Sequence, residues 1–158
     1  MNYKEVLKQR LKSELRYMFL LLSVSLVTIG FLIFDMIMNK EDIGMIIFEI
    51  VVILFAALIL AYSVYFITCL IFDLKAFKKD KINEITAKFI KYDKRSQIKK
   101  GVNIYTYIGQ VFKDINTGIE YSLDVKNTEP NKTYIILYGK YSKLGIPIQE
   151  IKNKKSEK

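Results

Sequence analysis

Asp35 and Glu49 are the residues of this chain whose type and place could do chemistry. Each borders a long run without charge: residues 17–34 lie just before Asp35, and residues 50–72 follow Glu49. A carboxylate at the centre of a bilayer costs at least about 2.5–3.5 kcal/mol on insertion scales, so an acid kept there marks an ion or proton site. Depth decides which case applies. Asp35 lies 19 residues beyond Arg16, which is about 28 Å along a helix at ~1.5 Å per residue. That distance reaches the far interface. The run 50–72 alone covers about 34 Å, so Glu49 sits at the same interface. Both acids are therefore expected to mark helix ends beside a short loop. The competing expectation is a possible ion site, Asp35 with Glu49, inside an oligomeric pore. It requires Glu49 to be drawn inward because Ile43–Phe48 also enter the membrane.

Little other chemistry is available. The chain of 158 residues has no histidine and no tryptophan, and its one cysteine, Cys69, lies within the second apolar run. Without histidine the commonest general base is missing. One cysteine allows neither an internal disulfide nor a Cys/His zinc cluster. Asp93, Asp114, Glu120 and Asp124 fall on turns and exposed strand faces, so no carboxylate pair is expected. There is no glycine-rich phosphate loop and no Gly-x-Ser-x-Gly. An enzyme is not expected, and neither catalytic residues, a cofactor nor a metal is assigned. Tyr92, Tyr105, Tyr107, Tyr134, Tyr138 and Tyr141 stand among many lysines. That pattern can bind single strands by stacking, but tyrosines that pack on sheets explain it as well, and nucleic acid is not the expected partner.

The elements that must position Asp35 and Glu49 are plain. A bilayer core about 30 Å thick needs about 20 apolar residues, and both runs fit. The expected order is a basic amphipathic helix at 1–16, a transmembrane helix at 17–38, an external loop at 39–43, a second transmembrane helix at 44–72 and a linker at 73–83. A β-domain at 84–151 and a disordered basic tail at 152–158 follow. The net charge of +9 is unevenly spread: +3 over residues 1–16, −3 over 35–49 and +9 over 73–158. Lysine and arginine near membrane ends mark the cytoplasmic side. Both termini are thus expected inside the cell, at the inner (plasma) membrane, with the acidic loop outside. A cleaved signal peptide is not expected, because no small-x-small site follows the first run. Lys4, Lys8, Lys12, Lys75, Lys78, Lys79 and Lys81 are expected to contact anionic lipid. Close helix packing is expected along Ala56, Ala57, Ala61 and Ser63 of the second helix, with Ala57 and Ala61 four apart, and along Ser23, Ser25, Thr28 and Gly30 of the first.

From Glu84 the hydrophobic period becomes two. Strands are expected near 84–92, 102–113, 118–125, 132–139 and 144–151. Asp114–Gly118 should turn between two of them, with Gly118 at positive φ. Phe89, Ile108, Leu123, Ile135 and Leu137 should supply the core. Five short strands in about 70 residues predict a small all-β domain, a five-stranded antiparallel barrel of the SH3 or OB kind.

The segment Leu137-Tyr138-Gly139-Lys140-Tyr141-Ser142-Lys143-Leu144-Gly145-Ile146 resembles the closing strand-turn-strand of uncharacterised two-span bacterial membrane proteins with a small cytosolic β-barrel domain. Tyr138, Ser142, Lys143 and Ile146 carry the resemblance; Gly139-Lys140-Tyr141 stands where that family often has proline. A looser similarity is to membrane-anchored OB-fold proteins that accompany membrane-bound complexes. Both resemblances imply a non-enzymatic accessory or interaction protein, with immunity or defence as a special case. The alternative is an oligomeric channel or transport subunit that uses Asp35 and Glu49.

Overall fold

The computed structural model describes residues 2–38, 43–99 and 102–151; for 93–99 and 102–108 it describes the backbone. Of the expected loop at 39–43, residues 39–42 lie outside the described residues and Ile43 opens the second helix; the tail at 152–158 and the side chains of Tyr105, Tyr107 and Ile108 also lie outside them. Two helices, α1 (Tyr3–Met38) and α2 (Ile43–Lys78), precede five strands: β1 (Asn83–Lys99), β2 (Val102–Asp114), β3 (Glu120–Val125), β4 (Thr133–Tyr138) and β5 (Leu144–Ile151). The chain divides into two compact units. One is Leu11–Phe72. The other joins Met1–Arg10 to Asp73–Lys158.

The helical unit holds the two apolar runs. Each helix has 36 residues, about 54 Å at ~1.5 Å per residue, and each is long and apolar enough to cross a membrane. Asn2 caps α1: its Oδ1 accepts the Glu5 N–H at 3.4 Å, with Glu5 in the first turn where an acid suits the dipole. Lys75 and Lys78 close the last turn of α2. The Lys81 N–H then bonds back to the Ala76 carbonyl at 3.0 Å, with Asp80 at φ 57°, which is a left-handed helix stop.

Burial in this unit repeats every seven residues. Leu11, Met18 and Ser25 are covered on α1, and Glu49, Ala56, Ser63 and Leu70 on α2, where Ile67 and Cys69 are covered as well. Such a period keeps one seam in line. Of the expected small residues, Ala56, Ser63 and Ser25 lie on the seam, whereas the pair Ala57 and Ala61 is exposed, as are Ser23 and Gly30. The correction is one of helical phase: a residue displaced by one position turns by about 100°. Ser25 and Ser63 give their hydroxyls to the carbonyls of Leu21 and Ile59 at 2.9 and 2.8 Å, so neither is left unsatisfied.

In the strand unit the order of pairing is β1-β2-β3-β5-β4, and β4 returns to β1, so the sheet closes on itself. Four junctions are antiparallel. The fifth, β3 with β5, is parallel and only two residue pairs long, Asp124 with Leu144 and Val125 with Gly145. This corrects the expectation of an all-antiparallel sheet, and the reason is parity. Direction flips at every antiparallel step, and an odd number of strands cannot alternate all the way round a closed ring.

Ile85, Ala87, Phe89, Phe112, Leu123, Val125, Tyr134, Ile136 and Tyr138 form the core. Phe89 stacks on Phe112 with ring centroids 5.0 Å apart. Period-two burial accounts for β1 and β3, where Leu123 is 1% exposed between the exposed Ser122 and Asp124. On β4 the inward residue is Ile136 rather than the expected Ile135, which is half-buried. That strand is apolar on both faces, so its pattern carries no phase.

β1 runs seven residues past its expected end. It pairs with β4 over Asn83–Lys88 and with β2 over Ala87–Lys99. Register shifts follow Phe89 and Asp93; such bulges bend and twist a strand. Residues 94–99 and 102–107 pair with each other as a two-stranded ribbon.

Candidate functional site

The polar groups that converge in the strand unit come from the start of α1 and the end of α2. Asp73 follows Phe72, the last residue of the uncharged run, and sits five residues before α2 ends. A carboxylate there opposes the helix dipole, so it needs other donors. It finds them 68 and 69 residues away: Oδ1 accepts the Tyr141 N–H at 3.1 Å, and Oδ2 accepts the Ser142 N–H at 2.7 Å. Asp73 is 3% exposed. Backbone donors to a buried carboxylate are charge-assisted and strong.

The turn that Asp73 holds, residues 139–143 between β4 and β5, is built around it. The Gly139 N–H bonds the Leu144 carbonyl at 2.8 Å and the Lys143 N–H bonds the Gly139 carbonyl at 3.1 Å. Lys143 takes φ 61°. The Ser142 Oγ accepts the Leu144 N–H at 3.4 Å. A Cβ on Gly139 would run into the Asp73 carboxylate and come within 2.7 Å of the Ser142 Oγ. Glycine is required there by close approach rather than by backbone angle.

Arg10 closes the parallel junction. Its guanidinium donates to the Asp124 carbonyl at 3.1 Å, to the Gly145 carbonyl, and to the Asp124 Oδ2 at 2.9 Å. The two carbonyls belong to the two strands of the short β3–β5 seam. The side chain is 12% exposed, and its Nε is buried with no partner among the described residues. The fixed fork of an arginine suits a pair of acceptors held side by side. Gly145 permits the tight seam, since a Cβ there would lie 3.1 Å from both the Leu137 carbonyl and Val125. Farther out, Lys4 pairs with Asp80 at 3.0 Å, both largely exposed. Such a surface pair contributes little.

The residues read from sequence are distributed differently. Lys8 pairs with Glu5 at 3.3 Å, and Lys12, Lys75, Lys78, Lys79 and Lys81 are exposed along the helix ends and the turn after α2. Asp35 is half-buried near the end of α1, while Glu49 is 5% exposed on the α2 seam. No group of three or more acid, thiol or imidazole side chains able to hold a metal is found among the described residues. Arg10 and Asp73 were absent from the expected sites. Asp73 did carry a signal: it is the lone acid between Glu49 and Asp80, placed where a helix end disfavours one.

Comparison with family models, with curated proteins and with solved structures finds no match to this chain.

Proposed function

We propose that this chain is a two-span, non-enzymatic accessory protein that presents a small cytoplasmic β-domain to a protein partner at the inner membrane. The observation that carries the reading is the pair of links at Arg10 and Asp73. Residues that begin one apolar helix and end the other are hydrogen-bonded into the strand unit. A domain that only needed tethering would tolerate a loose linker on each side; here the residues next to each apolar run are ordered within the strand unit itself. The parallel β3–β5 closure and a long first strand shared by β2 and β4 favour an OB-type barrel over an SH3-type one. Basic flanks on the outer helix ends and a net acidic segment between the helices support termini inside the cell.

A photo-reactive residue placed at Ile119 or Tyr141, both exposed, tests the reading in native membranes. A discrete protein adduct is expected from the wild type and a weaker one from Asp73→Asn. Lipid adducts alone would remove the protein-partner reading. A cysteine at Asn39 should react with an impermeant thiol reagent in intact cells and one at Thr117 should not; the reverse pattern would invert the topology.

The burial of Glu49 favours a second reading, the channel or transport subunit. An interfacial end marker has no need to be 5% exposed on a helix seam. Cation or proton leak through the purified protein in liposomes, lost in Glu49→Gln, would establish it. No leak from the wild type leaves the accessory reading in place.

A further inference from the structure

Beyond Phe89 the first strand, β1, has a strand on one side alone among the described residues. β4 pairs with β1 over Asn83–Lys88. Phe89 adds two bonds, its N–H to the Lys132 carbonyl at 2.9 Å and its carbonyl from the Asn131 N–H at 2.8 Å. After the second register shift, between Asp93 and Lys94, residues 94–99 pair one to one with β2 over residues 107–102. Their other side meets no strand among the described residues. Six residues make about 20 Å of regular open edge at ~3.4 Å per residue. β2 has an open edge as well, because β3 pairs with it over Gln110–Lys113.

The two edges differ in charge. Lys94, Arg95 and Lys99 stand on the β1 edge, and the sequence from 94 to 113 contains no acid. The register partners of these cations on β2 are Tyr107, Thr106 and Val102, so no acid faces any of them across the ribbon. Asp93 precedes them at the shift, opposite Gly109. Glu129, in the loop before β4, is paired with Lys132 at 2.8 Å. The open β2 edge, 102–109, carries no charge. An unpaired edge is a template for another strand, and lysine on it acts as a guard. The guard on β1 is selective. A second copy laid antiparallel on 94–99, centred on the same residues, would set Lys94 against Lys99, and like charges in facing positions are unfavourable. An acidic strand would meet three cations instead.

We infer that the β1 edge at Lys94–Lys99 takes up an extended acidic segment of a partner protein as an added antiparallel strand. The backbone selects a peptide. An edge offers N–H and C=O groups in alternation, and a strand supplies partners for both. Phosphates of nucleic acid or lipid accept hydrogen bonds and donate none, which leaves the edge carbonyls unmatched. The cations select the acids, because opposite charges directly across a pair are favourable. This deepens the accessory-protein reading, on which it rests for the existence of a protein partner, by naming the surface and the chemistry of that partner.

The test uses the full chain in phosphatidylcholine nanodiscs and a capped peptide, Glu-Val-Thr-Val-Glu-Glu, whose acids fall opposite Lys99, Arg95 and Lys94 in the antiparallel register. Binding is followed by fluorescence anisotropy and by amide hydrogen exchange. Saturable binding is expected, with slowed exchange at alternate amides of 94–99. The glutamine version of the peptide should bind about tenfold more weakly. A version methylated on alternate backbone nitrogens keeps the charge and should not bind. In Lys94→Glu/Arg95→Glu/Lys99→Glu the preference should reverse toward Lys-Val-Thr-Val-Lys-Lys. The glutamine and methylated peptides act on the wild type, so the test stays decisive if that variant fails to fold. Equal binding of the glutamine version would overturn the acid selection. Equal binding of the methylated version would overturn strand addition, and protection at 102–107 in place of 94–99 would overturn the choice of edge. No binding of the acidic peptide, beside a protein adduct from Ile119 or Tyr141 in native membranes, would overturn the inference and keep the accessory reading. Peptide binding beside lipid adducts alone would support the edge and remove that reading.

Discussion

Replacing Asp73 by asparagine changes one oxygen to an amide nitrogen at nearly constant shape, so it isolates what the carboxylate does. In the wild type two backbone N–H groups, of Tyr141 and Ser142, share the two oxygens at 3.1 and 2.7 Å. Asparagine can accept one of them and must point its own donors at the other. A hydrogen bond to a charged group contributes about 1.5–3 kcal/mol, and a buried donor left without a partner costs about 1–3 kcal/mol. Allowing for the neutral bond that remains, the expected loss is about 3–4 kcal/mol. For a unit of this size, each kcal/mol corresponds to about 4–8 °C in Tm, so a fall of roughly 12–32 °C is expected for the strand unit. Amide hydrogen exchange on the detergent-solubilised full chain separates this from helix unfolding: the Tyr141 and Ser142 amides should exchange at least about a hundredfold faster, since ~1.4 kcal/mol is tenfold. Asp80→Asn is the control, because the Asp80 side chain is 82% exposed and its ion pair among the described residues is with the surface Lys4; its cost should stay under about 1 kcal/mol. If Asp73→Asn and Asp80→Asn were equally mild, the turn at 139–143 would not depend on the carboxylate and the clamp argument would fail.

Arg10→Met keeps an apolar stem but removes all three donated bonds, and should cost about 2–3 kcal/mol. Faster exchange should concentrate at Asp124, Val125 and Gly145; Arg10→Lys, a point charge without the fork, should fall between, and uniform loss across all strands would refute a seam-specific role. Leu123→Asp places an unpartnered carboxylate in the core and should unfold the strand unit, since that burial costs several kcal/mol. Asp124→Leu loses an ion pair whose acid is 58% exposed and should cost under about 1 kcal/mol; similar urea midpoints for the two would contradict the β3 register. Burial first, then the charges of Tyr121 and Asp114, raise the Tyr138 phenol above its ordinary pKa of 10.0. A raised folded value stabilises the neutral form fully below pH ~10, with loss as pH rises through the folded pKa. The alkaline decline in stability should therefore be shallower in Tyr138→Phe, and an identical decline would show that Tyr138 is not linked to unfolding.

Much of this protein is written in local patterns. Two uncharged runs of 18 residues or more require helices, because an apolar backbone satisfies its own hydrogen bonds within one segment. Alternation over Tyr121–Val125 and the Asp114–Gly118 turn are local too, and the structure follows them, although Ile119 before the strand is exposed: Gly118 takes φ 71°, and the Asp114 N–H bonds the Ile119 carbonyl at 2.9 Å. What the sequence left undetermined are choices among partners. Ala56 and Ala57 are equally small, and helical phase alone puts the first on the seam. Ile135 and Ile136 are equally apolar, and pairing with β1 and β5 decides which faces the core. Residues Lys94–Lys99 have no alternation to announce a strand; β2 supplies their partners. Asp73 and Arg10 show the limit most plainly, because each sits in a charged stretch that reads as solvated. Their partners lie 69 and 114 residues away, and a hydrogen bond across that separation exists only after the ring of strands has closed. Sequence by itself determined two apolar helices and a small sheet domain, since periodicity is a property of neighbours. The tertiary structure alone decided where the ring closes and which side chains fasten it, since those depend on what the folded backbone brings within 3 Å.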